Sequence, residues 1–277
     1  MLILTAYAVG AFFTWSTAFE TSSYVPLALV QRTKPDKRSG EFSPEAGTHL
    51  YEPQYEQKQR FEHEDFLTQI LQARKGKTNG KRIALIGEPG AGKTTLLQHI
   101  ACWVLEKTDL PRQQENKDVA ILVSLSNLQG RSLEEYLRKK WLKDALRVAH
   151  VIPEMESALV ELFNSERVWL LLDGVDEMTL GDPRQALADE MTGWVASARV
   201  VLTCRLNVWE ESGNFLADFE TYRLLDFDYP QQVHQFIDNW FKTSDAANGE
   251  LVKGRIGRTR ATPAGLGAKS PEANDVV

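Results

Sequence analysis

Cysteine is scarce in this chain: two in 277 residues, Cys102 and Cys204, each inside an apolar segment. That excludes a disulfide framework and points to a packed core in a reducing, cytoplasmic compartment. A basic excess is lacking as well. Lys and Arg number 32 against 38 Asp and Glu, a net charge of -6. No general basic face is left over for a polyphosphate backbone, so no nucleic-acid partner is predicted. Histidines are few, and His49, His99, His150 and His234 are scattered at no metal-ligand spacing. Glu62-His63-Glu64-Asp65 lacks a second ligand cluster and reads as the charged start of a helix. Internal repeats are missing. So are a basic leader and a small-x-small cleavage site, which argues against a secretory signal.

What is present is ordinary for a globular protein: 43% hydrophobic and 25% charged residues, enough for one large α/β domain or two small ones. Residues 1–19 carry no charge, and Glu20 is the first ionisable side chain. A bilayer span needs ~20 apolar residues, so the run reads either as a membrane anchor or as a buried helix or misassigned start. Arg32, Lys34, Lys37 and Arg38 follow it and would keep the remainder in the cytoplasm.

The expected organisation is an uncharged segment over 1–22, a linker and lead-in helix over 23–79, a nucleotide-binding core over 80–246 and a loose tail over 247–277. Residues 31–60 are rich in charge, Gln, Pro and Gly, as in an exposed connection. Phe66, Leu67, Ile70 and Leu71 then predict a helix. Short apolar runs at 83–86, 119–125, 168–172 and 198–203 predict strands. Helices are predicted between them at 93–106, behind a Ser132–Glu135 capping box, and at 155–163. A last helix follows Pro230 through Val233, Phe236, Ile237, Trp240 and Phe241. Strands apolar along their whole length, alternating with helices, imply an α/β fold of three layers around a mostly parallel sheet. From Gly249 onward Gly and Pro interrupt any period, and Gly265–Ser270 only superficially echoes a phosphate loop.

Gly87-Glu88-Pro89-Gly90-Ala91-Gly92-Lys93-Thr94 fits G-x-x-x-x-G-K-[ST] at every fixed position, with Thr95 next and an apolar strand before it. The glycines allow consecutive N–H groups to face one phosphate, and the following helix adds its positive end. Lys93 is suited to the β- and γ-phosphates and the Thr94 hydroxyl to magnesium. A second strand, Trp169–Leu172, delivers Asp173 to the sheet edge where ligands bind, as a magnesium carboxylate. Asp176 or Glu177 could orient an attacking water. A third, Val200–Cys204, ends in Arg205, a cation suited to the γ-phosphate.

GEPGAGKTT, LLLDGVDEM and VVLTCR, in this order and spacing, resemble the NACHT family of P-loop signal-transduction ATPases (the STAND class). TTLLQHIACWVL, LEEYLRKKWLKDAL and RVVLTCRLNVWE are similar to bacterial members, cyanobacterial ones especially. The likeness runs from about Tyr24 to Phe241. It implies a switch: ADP holds a closed monomer, and ATP with Mg2+ permits self-association and activates an effector, in signalling or anti-phage defence. It also implies slow hydrolysis, with Lys93 and Thr94 on phosphate and metal, Asp173 on magnesium, Asp176 supporting hydrolysis and Arg205 sensing the γ-phosphate. Family members continue into an Asn-Pro-Leu-like helical segment and a winged helix, which 249–277 does not match, so the resemblance implies a truncated form.

Other readings stay open. A P-loop kinase would need lid arginines, for which Arg138, Arg147 and Arg167 are candidates. A GTPase would read its base with Asn-Lys-x-Asp, which Asn116-Lys117-Asp118 misses by one residue. An interaction module would hold nucleotide without turnover.

Overall fold

The computed structural model describes residues 24–33, 56–106, 118–178, 183–210, 216–242 and 246–261. The uncharged run 1–19 and the region beyond Ala261 lie outside them. Among the described residues no helix is long and apolar enough to cross a membrane. The described residues divide into two compact units, one within Pro26 to Asp226 and one made of Tyr24 and Val25 with residues from Phe227 to Ala261.

The first unit is built on a seven-stranded sheet in the order β2-β1-β7-β3-β6-β5-β4. The strands are β1 (Leu29–Thr33), β2 (Glu56–Phe61), β3 (Arg82–Gly87), β4 (Val119–Ser124), β5 (Val168–Asp173), β6 (Arg199–Arg205) and β7 (Glu220–Leu224). β7, β3, β6, β5 and β4 run parallel; β1 lies antiparallel to both β7 and β2.

The pleat explains the continuous apolar runs. Ala84, Ile86, Leu170, Leu172, Val200 and Leu202 enter one core, with Leu133, Leu137, Leu159 and Phe163 packed against them. Their alternates Ile83, Leu85, Trp169, Leu171 and Val201 enter the other, against Phe66, Leu67, Leu97 and Ile100. With helices on both faces, residues of β3, β5 and β6 meet apolar side chains whichever way they point, so no polar alternation survives there. The helices are α1 (Lys93–Glu106), α2 (Pro153–Asn164) and α3 (Pro183–Glu190), with helical turns at His63–Gln72 and Leu133–Leu146. The Ser132 hydroxyl accepts from the Glu135 N–H at 3.1 Å, closing the predicted cap.

Two expectations need correction. The stretch expected to be linker carries β1 and β2, and the first of these extends the sheet beyond β7. Buried Leu29 and Val30 explain β1, whereas β2, with the sequence EQKQRF, is an edge strand whose polar residues carry little apolar signal. In the second unit, the stretch expected to be loose from Gly249 is helical to Ala261: α4 (Gln231–Phe241) is followed by α5 (Ala246–Ala261). Interior glycines cost about 1 kcal/mol each. Here Gly249 sits so close to Phe241 that a Cβ would meet that ring's own Cβ at 3.3 Å, and Lys253 pairs with Asp238 and Glu250.

On the α1 face, His63 and His99 stand edge to face with ring centroids 6.2 Å apart. Burial lowers the pKa of both, His99 to about 4, with the neighbouring His63 adding to the depression. As pH falls below the ordinary 6.5, the unfolded chain takes up this proton before the folded one does. Stability from His99 is therefore complete above about 6.5 and declines toward pH 4. The melting temperature of the unmodified chain should fall more steeply across that window than that of H99F.

Candidate functional site

The phosphate loop follows β3. Gly90 and Gly92 hold left-handed φ of +79° and +80°, and the Leu96 N–H donates to Gly92 O at 2.9 Å, so α1 begins directly from the loop. Glu88 and Pro89 are exposed at the turn, and the Ala91 N–H donates back to Glu88 O at 3.1 Å. The Lys93 ammonium folds into this cradle and donates to Gly87 O at 3.0 Å and Glu88 O at 2.9 Å. Burial lowers its pKa, an effect countered by Asp176 and Asp173 and reinforced by Arg205. The cation therefore stands desolvated in a loop of amides, a setting that an anion relieves.

Sheet register brings the other strand ends to the same edge. Gly87 is paired with Arg205, and Leu172, one residue before Asp173, with Leu202. The Thr94 hydroxyl lies 2.9 Å and 3.1 Å from the two Asp173 carboxylate oxygens although 79 residues separate them. A hydroxyl and a carboxylate converging beside a phosphate cradle form the hard oxygen donor set that magnesium takes, with phosphate and water completing it. The residues present fit that ion.

Asp176 and Arg205 are brought together as a pair. Arg205 Nε lies 2.8 Å from Asp176 Oδ2, and the Arg205 backbone N–H donates to Oδ1 at 3.0 Å. The Asp176 side chain is 7% exposed and that of Arg205 50%, so the carboxylate depends on the arginine for its compensation, and less so the reverse. Glu177 is placed differently. Its carboxyl folds over Gly174, where a Cβ would meet Cδ at 2.9 Å, and it lines a small cavity with Ser126, Gln129, Arg131 and Glu190. Gly174 itself holds φ +79°, a conformation that side chains resist.

Sequence reasoning gave no role to Thr203, which is 1% exposed and donates to Asp173 Oδ1 at 2.6 Å. Its signal was a lone hydroxyl inside an otherwise apolar strand. Leu27, near the start of β1, also went unread; its Cδ1 would lie 3.5 Å from a Cβ on Gly92.

The residues that would favour other chemistry are engaged elsewhere. Asp118 accepts from Trp169 Nε1 at 3.1 Å, at the start of β4 and hence at the sheet edge opposite the loop, where it reads no base; Asn116 and Lys117 lie outside the described residues. Arg138 pairs with Glu134 and Glu156 and lies over the Trp194 ring. Arg147 closes a helix with φ 51°, and Arg167 bonds Ser165 just before β5, again at the opposite edge.

The family model of the NACHT domain matches residues 81–244, more than half of the sequence. No curated protein matches. Among solved structures, the chain is similar to that described as "Structure of C. elegans PCH-2", at 18% identity and a TM-score of 0.36. The likeness covers 68% of this chain and 45% of that one, less than half its length. At that score it carries no argument about this protein.

Proposed function

Because this chain belongs to the NACHT family of P-loop nucleoside triphosphatases, we propose that it is an ATP/ADP-binding signalling switch with slow, magnesium-dependent hydrolysis. Lys93, the loop amides from Gly87 to Thr95 and the start of α1 hold the β- and γ-phosphates. Thr94 and Asp173 hold the cation, which when bound neutralises charge on the phosphate oxygens. Asp176 orients the attacking water, and Arg205 meets the γ-phosphate from the neighbouring strand end. Since these two are paired with each other, a third phosphate must compete with Asp176 for the guanidinium. That competition gives the switch a way to tell ATP from ADP, and with it closed monomer from self-associated, effector-activating form in bacterial signalling or defence.

The observation that carries the reading is the meeting of Thr94 and Asp173 beside Lys93. It is tested by calorimetric titration with ATP, ADP and GTP, in magnesium and in chelator. ATP and ADP should bind more tightly with magnesium, and more tightly than GTP. D173N should retain chelator-state binding while losing about 10-fold or more of the magnesium gain. A folded chain that binds none of the three nucleotides would sink the proposal.

A further inference from the structure

Asp173 is the last residue of β5, and the backbone ladder that fixes its strand to β6 ends one step earlier, at the Leu172–Leu202 pair. Something else must hold its carboxylate. That something is a hydroxyl from the next strand. Thr203 accepts the Gly174 N–H at 2.8 Å and gives its own proton to Asp173 Oδ1 at 2.6 Å. The two bonds determine each other. A hydroxyl has a single proton, the Gly174 N–H can only donate and an ionised carboxylate can only accept, so the proton has one direction left.

The consequence falls on Asp173. Oδ1 is held at 2.6 Å by a group buried in the core, so the carboxylate cannot rotate freely about its last bond, and the Thr94 hydroxyl lies nearer Oδ2, at 2.9 Å, than Oδ1, at 3.1 Å. We infer that Thr203 is the positioning residue of the magnesium site: it anchors Asp173 through Oδ1 and so fixes the direction in which Oδ2 faces the cation. The inference rests on the reading that Thr94 and Asp173 take magnesium. It adds a residue that touches neither metal nor nucleotide and acts through Asp173 alone.

The threonine shares its strand with Arg205, two residues on. Both side chains bind the end of β5 and the segment after it, Thr203 at Asp173 and Gly174, Arg205 at Asp176. Where backbone pairing between β5 and β6 stops, side chains continue it. The metal carboxylate and the γ-phosphate cation are therefore tied to one strand end.

The test is titration of the full chain with ADP in magnesium and in chelator, for the unmodified protein, T203V and T203S. Valine keeps the shape and removes both hydrogen bonds; serine keeps the hydroxyl. T203V should lose about 10-fold or more of the magnesium-dependent gain in affinity, with chelator-state affinity held within about twofold, and T203S should restore the gain. A threonine whose hydrogen bonds only stabilise the fold would lower the melting temperature in T203V without separating the two conditions. If T203V does not fold, the contrast between T203S and T203A reads the same quantity. A magnesium gain in the unmodified chain that persists in T203V, or in T203A where valine does not fold, overturns the role of Thr203 and leaves the switch reading standing. No gain in the unmodified chain overturns both.

Discussion

Alanine at Lys93 is expected to lower ATP affinity by about 100-fold or more, because hydrogen bonds to ionised groups contribute about 1.5–3 kcal/mol each and this ammonium can serve two phosphates. The Lys93 ammonium donates to two loop carbonyls, and burial lowers its pKa. It therefore contributes little to the fold, and the variant should melt close to the unmodified protein. ADP, lacking the γ-phosphate, should lose less than ATP. Arginine is no remedy. A planar guanidinium cannot take the compact position of an ammonium between Gly87 O and Glu88 O, so K93R should behave nearly as K93A. Titration calorimetry on both variants, with melting curves alongside, decides the matter. ATP binding by K93A within about threefold of the parent would take Lys93 out of the site.

The largest effect on stability is expected at Trp169. It is 2% exposed on β5, stands edge to face with Trp103 at 6.0 Å, lies under the Arg199 guanidinium at 4.9 Å and donates its indole N–H to Asp118. Truncating a buried tryptophan to alanine costs about 3–5 kcal/mol, against a net stability of about 5–15 kcal/mol for a whole domain. W169A should lose a large share of its denaturant midpoint or fail to fold. W169F should lose less, chiefly the hydrogen bond and part of the cation–π contact. Asp118 then has a structural duty, and D118A should lower stability while leaving the preference between ATP and GTP unchanged. A switch of base preference in D118A would revive the GTPase reading.

The parts of the fold legible in the sequence are those whose signal is local. β3, β5 and β6 are apolar on both faces because helices cover both, and α1 repeats leucine and isoleucine on one stripe. β7 was missed because its five residues alternate: Glu220, Tyr222 and Leu224 are buried while Thr221 and Arg223 are half-exposed. A buried glutamate is a poor strand signal. It is accommodated because Thr78, 142 residues away in sequence, donates to Oε1 through both its N–H and its hydroxyl, at 2.6 and 2.7 Å, while Gln31 and the Tyr222 hydroxyl donate to Oε2, each at 3.3 Å. The site divides the same way. Fixed spacing picks out the glycine loop and an apolar strand end picks out Asp173 as candidates, but the Asp176–Arg205 pair and the hold of Thr203 on Asp173 depend on which strands are neighbours. Residues 29 and 30 positions apart meet only because β5 and β6 lie side by side.

The place of β1 has a practical consequence for anyone trimming this protein. The family match starts at residue 81, yet the sheet takes in Leu29–Thr33, whose backbone pairs with β7 from Leu224 to Thr221. A fragment cut at the match boundary would keep every residue of the phosphate loop and still strip β7 of a neighbour. It would leave a raw row of N–H and C=O groups beside Tyr222 and Leu224, an edge prone to pairing with other copies. Such a fragment should precipitate or aggregate where one beginning at Pro26 remains dispersed, so the boundary of the family and the boundary of the foldable piece differ by more than fifty residues.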